Sequence, residues 1–239
     1  AHGIDERNDI RAMGPASGVQ VSEFPLQNAL AGVSIEVCRQ GTCVAAIPIY
    51  VRADQINAIL PSNAPLGAVS LRVTYNGQAS NFTSATVVAS SPGIFAINAG
   101  GFGPGVIQNF NSGDDQPVNS ATTAARPGQT LILWATGLGA GLKAYNVAPQ
   151  VGDLPVALDI WVGGKAVTTK RYQGRSGCCS GLDQIVFDVP ADAPTGCYVP
   201  VQLRVNGALV SNVATLAISA DGSPCADAFN PISERFRQG

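Results

Sequence analysis

The stretch RADQINAILPSNAPLG at residues 52–67 returns as GLDQIVFDVPADAPTG at residues 181–196. Asp54-Gln55-Ile56 becomes Asp183-Gln184-Ile185, and Pro61, Pro65 and Gly67 become Pro190, Pro194 and Gly196, all at one spacing of 129 residues. Two copies are too few for a solenoid, whose repeats bury a continuous core only by stacking. A chain of 239 residues divided by such a duplication predicts two similar domains of roughly 100 residues.

The segments around each copy alternate apolar and polar residues. Val33, Ile35 and Val37 alternate with Ser34 and Glu36, and Val69, Leu71, Val73 and Tyr75 with Ser70, Arg72 and Thr74. In the second half Leu158, Ile160 and Val162 alternate, as do Val199, Val201, Leu203 and Val205. Period-2 alternation is the pattern of half-buried strands. Asn76-Gly77, Asn206-Gly207 and Gly163-Gly164 supply two-residue hairpin turns. No helical stripe occurs before NPISERF, where Asn230 offers an N-cap, Pro231 the first helical position, and Ile232 and Phe236 one face. The expected fold is all-β: two tandem sandwich domains and a short C-terminal helix or turn. The expected divisions are an N-terminal extension (1–24), a first domain (25–92), a Gly/Asn-rich connector (93–124), a second domain (125–219) and a tail (220–239).

Composition removes several function classes. Charged residues are 13% and apolar residues 46%, with a net charge of −2 and no basic cluster, so nucleic acid is not an expected partner. No apolar run approaches the length of a membrane-spanning helix. The Ala-His-Gly start is the kind that cleavage behind a small residue leaves, and with the charge-poor, Thr/Asn-rich composition it predicts a secreted protein at the cell surface.

Six cysteines, at 38, 43, 178, 179, 197 and 225, are expected to form disulfides. Cys38 and Cys43 flank Arg-Gln-Gly-Thr and would close a hairpin. A bond between the neighbours Cys178 and Cys179 needs a strained ring, so these two are expected to pair with Cys197 and Cys225, in one of two ways. The cysteine spacings and the single histidine, His2, give no zinc site, and no metal or cofactor is expected.

No nucleophile–base pair is apparent, so no enzyme activity is expected. TGLGAG and GGFGPG lack the strand–loop–helix setting of phosphate loops and read as turns. Asp114, Asp115 and Asp153 read as turn formers rather than calcium ligands. Asp54 and Asp183 recur through the duplication, which places them in different domains and makes them loop caps rather than a catalytic pair. Trp134 and Trp161 lie in alternating strands and are expected to pack in the core rather than to form a sugar-stacking shelf. Asn81-Phe82-Thr83 is a formal glycosylation sequon.

PGIFA, ARPGQTLILWATGLG, LPVALDIWVGGKA, YQGRSGCCSGLDQIVFDVP and VPVQLRVNGALVSNVATLAIS together resemble the Solibacter C-terminal domain family, extracellular modules of acidobacteria and related bacteria. The resemblance covers about residues 25–219. It implies immunoglobulin-like sandwiches and an extracellular location, and carries over no catalytic residue. In that family a domain opens with a strand like the one at Pro127–Gly139; nothing before Leu30 matches it.

A first domain without its opening strand exposes a sheet edge and part of its core, both costly in water. The candidate strands to fill this slot are SGVQVSEF, with Val19 and Val21 alternating, and the tail after Ser219; filled by the chain's own segment, the slot leaves an ordinary monomer. Given to a neighbouring copy, such a strand makes a head-to-tail joint that need not close, hence an extracellular filament or surface layer. The alternative is an adhesin-like or carbohydrate-binding accessory module with glycans as partners.

Overall fold

The structure, a computed structural model, describes residues 2–4, 10–21, 23–140 and 145–225. The described residues form strands and turns without a helix, arranged in antiparallel sheets with one short parallel pairing. Residues 230–236, where a C-terminal helix or turn is expected, lie outside the described residues.

The chain divides into two compact units. The first comprises residues 1–90 with 139–151 and 175–181; the second comprises 91–138, 152–174 and 182–239. These bounds correct the expected ones. The segment 93–124 is no separate connector: its strands Gly93–Ile94 and Ile107–Asn109 pair with Thr130–Thr136, and Gly103–Pro104 runs parallel to Ala214–Ile218. Ile94 and Ile107 sit in the core of the second unit. Their segment is Gly-rich and aperiodic, but each short strand satisfies its backbone on a sheet edge and inserts one side chain.

The second unit is two sheets around one core. In one sheet Thr130–Thr136 pairs Asp183–Asp188, which neighbours Lys170–Arg175. In the other, Gly196–Val205 lies between Leu158–Val162 and Ala214–Ile218. Leu131, Leu133, Ile185 and Phe187 from the first sheet meet Ile160, Val201, Leu203 and Leu216 from the second. This two-layer arrangement is that of a β-sandwich.

The alternation also fixes which residues face outward. Trp161 stands between the core residues Ile160 and Val162, so its ring points to the other side of the sheet, 4.5 Å below the Arg204 guanidinium. Trp134 stands between Leu133 and Ala135, and its indole nitrogen donates to Gln108 Oε1 at 2.7 Å. Neither tryptophan belongs to the core, contrary to expectation.

In the first unit Thr83–Val87 pairs Gly67–Tyr75, which pairs Val33–Arg39, which pairs the first half of Thr42–Arg52. The second half of Thr42–Arg52 pairs Gln55–Ile59 and, on its other edge, Val19–Gln20. One long strand therefore has three pairing partners, one along its first half and two along its second. Among the described residues one core cluster of this unit holds Ile35, Val37, Ala46 and Val69 as buried residues, with Ile56, Leu71, Val73 and Val87 partly covered, and a second holds Leu26, Ile47 and Ile59.

Shared devices run through both units. The proline of each repeat accepts from the amide three residues on: Ala64 N to Pro61 O at 3.0 Å, Ala193 N to Pro190 O at 3.1 Å. Asn76 and Asn206 both adopt positive φ, each followed by a glycine, as a hairpin of this twist requires. The Ser80 hydroxyl accepts from Val73 N at 3.1 Å and donates to Asn81 O at 2.7 Å; Ser211 does the same with Leu203 N at 3.0 Å and Asn212 O at 2.7 Å.

Candidate assembly edge and binding pocket

The repeat makes Gln55–Ile59 the counterpart of Asp183–Asp188. The second-unit strand is paired on both edges, by Thr130–Thr136 and by Lys170–Arg175. Gln55–Ile59 is paired only by Thr42–Arg52; among the described residues no strand takes the edge that corresponds to the one Thr130–Thr136 occupies. Among the described residues Thr83–Val87 likewise has no counterpart to the Gly103–Pro104 strand beside Ala214–Ile218.

Burial follows the same division. Ile185, Val201, Leu203 and Ile218 are each 0% exposed. Their counterparts Ile56, Leu71, Val73 and Val87 are only half-buried. The residues are of the same kind; what differs is the strand Thr130–Thr136, with Leu131, Leu133 and Ala135, which lies beside Asp183–Asp188 and has no described counterpart beside Gln55–Ile59.

Val19 and Val21 do not lie at this open edge. Val19 pairs with Val51 and Val21 N donates to Ile49 O at 3.0 Å, both within the first unit. The preceding residues run the same way, with Ala53 N donating to Pro15 O at 2.8 Å. The expected donor segment is thus seated on its own chain, because the far half of Thr42–Arg52 offers it a free edge. Ahead of it, His2–Ile4 pairs with Ile10–Ala12 as a two-stranded sheet that joins no other sheet among the described residues. Two strands alone are marginal in water.

On the first unit a pocket of about 370 Å³ opens beside the side chains of Gln55, Asn57 and Ile59. Apolar walls come from Val21, Phe24, Leu26 and Ile49; polar groups come from Gln20, Tyr50 and Ser180; Cys178 and Cys179 close one side. None of the described lining residues carries a charge. Gln55 Nε2 donates to Asn57 Oδ1 at 2.9 Å. Residues 175–181 are held against the unit by Ser180, whose hydroxyl donates to Tyr145 O at 2.8 Å, and by Arg175, which bonds Gly139 O and the Tyr145 hydroxyl and lies 4.6 Å from the Tyr145 ring centre. Tyr145 in turn packs on the cluster of Leu26, Ile47 and Ile59.

The disulfides are Cys38–Cys43, Cys178–Cys179 and Cys197–Cys225, and no cysteine is free. The expected pairing of Cys178 and Cys179 with Cys197 and Cys225 is not formed. Cys197 and Cys225 lie in the second unit and 178–179 in the first; Cys225 is brought to Cys197 by a backbone bond from its amide to Ala121 O at 2.8 Å. Three disulfides fit an oxidising, extracellular environment.

The remaining candidates are local structure. Asp183 is fully buried and its Oδ2 accepts from Leu138 N at 2.9 Å, while Asp54 is exposed and forms a bidentate pair with Arg52. Asp115 accepts from Asn111 Nδ2 at 2.9 Å and Asp153 from Gln173 N at 3.1 Å, as loop-forming aspartates do. Among the described residues no three His, Cys, Asp or Glu side chains cluster as metal ligands, and no helix is long and apolar enough to cross a membrane. Asn81 is exposed at the start of the last strand of its unit. Its counterpart Asn212 clamps Ile94, accepting from its amide at 2.7 Å and donating to its carbonyl at 3.0 Å.

No protein-family model matches the chain, and a search of curated proteins finds no relative; the likeness to the Solibacter modules rests on the quoted motifs.

Proposed function

We propose that this chain is a non-enzymatic, secreted structural subunit of an extracellular filament or surface layer, built of two immunoglobulin-like sandwiches related to the Solibacter modules and joined head-to-tail by strand complementation. The observation that carries this is the open edge of Gln55–Ile59, above a core whose counterpart residues in the second unit are fully buried. A strand laid there would cover Ile56, Leu71 and Val73. It would bury apolar side chains worth about 1.5–3 kcal/mol each and form backbone hydrogen bonds worth about 1 kcal/mol apiece. The donor is the strand pair His2–Ile4 and Ile10–Ala12 of a second copy, which among the described residues joins no other sheet of its own chain. Donor and acceptor are different surfaces of one molecule, so the joint repeats without closing.

Electron microscopy of three proteins tests this: the intact chain, the chain without residues 1–12, and the chain without residues 226–239. The intact chain and the second truncation should form regular polymers, and the first should remain monomeric. An intact chain that never assembles, or polymers unchanged by loss of residues 1–12, would overturn the proposal.

A further inference from the structure

We infer that the first-unit pocket is a binding site for a neutral sugar residue, with the Cys178–Cys179 disulfide as a fixed wall. Its described lining residues are uncharged, so none of them offers a counter-ion to a phosphate, carboxylate or ammonium group. Its polar groups are of one kind. Gln20, Gln55 and Asn57 are amides and Tyr50 a phenol, and each can both donate and accept. Gln55 gives a hydrogen to Asn57 Oδ1, which leaves Gln55 Oε1 as an acceptor next to the Asn57 Nδ2 donors. Neighbouring hydroxyls of a sugar present the complementary pair, one donating and one accepting.

The rest of the surface suits the C–H face of a pyranose ring. Phe24 supplies an aromatic surface, Leu26 and Ile49 aliphatic ones, and the two sulfurs a polarisable one. A volume of about 370 Å³ is within the range of small-ligand sites. A purely apolar ligand would fit this volume but would strip water from the amides without replacing its hydrogen bonds. Cys178 and Cys179 are adjacent, so their bond closes a ring that includes one peptide unit. That ring holds both sulfurs in place, where separate thiols would turn about χ1. The Cys178 amide donates to the Ser176 hydroxyl at 3.2 Å, and the Ser180 hydroxyl ties the loop to Tyr145 O. The wall is therefore fixed before a ligand arrives, which reduces the ordering cost of binding.

Calorimetric titration of the intact protein with neutral gluco-, manno-, xylo- and N-acetylglucosamine oligosaccharides tests the site, with a sulfated oligosaccharide and a fatty acid alongside. At least one neutral series should bind. Gln55→Ala and Asn57→Ala should each weaken it about tenfold, the weight of one or two hydrogen bonds. The paired change Cys178→Ser/Cys179→Ser should weaken it too while leaving the melting temperature in place. The chain lacking residues 1–12 should bind the same sugar, so failure of the assembly proposal would leave this one standing. Absence of binding by every neutral sugar at millimolar concentration would overturn it. So would preference for the fatty acid or the sulfated sugar, or full affinity in folded Gln55→Ala and Asn57→Ala proteins.

Discussion

Ile56 and Ile185 hold the same place in the two repeats, but Ile185 is fully buried and Ile56 is only partly buried. Ile185 lies beside the strand Thr130–Thr136, where it pairs with Leu133. Ile56 pairs with Val51 and has no strand on its other side among the described residues. Truncation of the two should therefore cost differently. Ile185→Ala should lower stability by about 2–5 kcal/mol, and Ile56→Ala by about 1–2 kcal/mol in the protein lacking residues 1–12. Urea unfolding of both variants measures this; equal costs would mean that the first core is as complete as the second.

The repeated aspartates should separate in the same way. Asp183→Ala leaves the buried Leu138 amide without its 2.9 Å acceptor and should cost about 2–3 kcal/mol. Asp54→Ala removes an exposed pair with Arg52 and should cost under about 1 kcal/mol. Thermal melts of the two proteins give the comparison.

These contrasts show what was legible in the sequence. The turns at Asn76-Gly77 and Asn206-Gly207 and the strands around them follow from local chemistry, and so does the duplication itself. The outward placement of Trp161 was also legible: with Leu158, Ile160 and Val162 facing inward, position 161 must face outward. The pull of aromatic residues toward cores obscured that phase. The strands Gly93–Ile94 and Ile107–Asn109 were not legible, because two- and three-residue edge strands carry no period. Nor was the grouping of residues 139–151 and 175–181 with the first unit, or the pocket that Cys178, Cys179 and Ser180 complete. Where such segments pack depends on contacts remote in sequence. Ring strain argues against a Cys178–Cys179 bond, yet Cys197 and Cys225 pair with each other and the two neighbours are bonded.

The disulfides should differ in their weight. Cys197–Cys225 spans 28 residues, and replacing both cysteines by serine should cost about 3–4 kcal/mol through loop entropy in the unfolded chain. Cys178–Cys179 closes no such loop, and its paired replacement should change stability by under about 0.5 kcal/mol. Denaturant midpoints of the two double variants distinguish these outcomes.

Asp188 should make part of the second unit's stability pH-dependent. The Arg171 guanidinium, at 2.7 Å, holds its carboxyl below the usual carboxylate range, against partial burial that pushes it up and with help from the Thr130 hydroxyl at 2.8 Å. A depressed carboxyl adds stability above the unfolded-state value, about pH 4, and loses it as pH falls through the lower folded value. The gap between the native protein and Asp188→Asn should be widest near neutrality and close in acid. It should stay under about 1 kcal/mol, since Arg171 is largely exposed. Melting temperatures across this pH range measure the closing gap.

Hydrogen exchange over residues 55–59, compared at one concentration between the intact chain and the chain without residues 1–12, tests the strand-complementation joint most directly. Its amides should exchange far more slowly in the intact protein, while those of Asp183–Asp188, already paired on both edges, exchange alike in both. Equal exchange of residues 55–59 in the two proteins would contradict the joint.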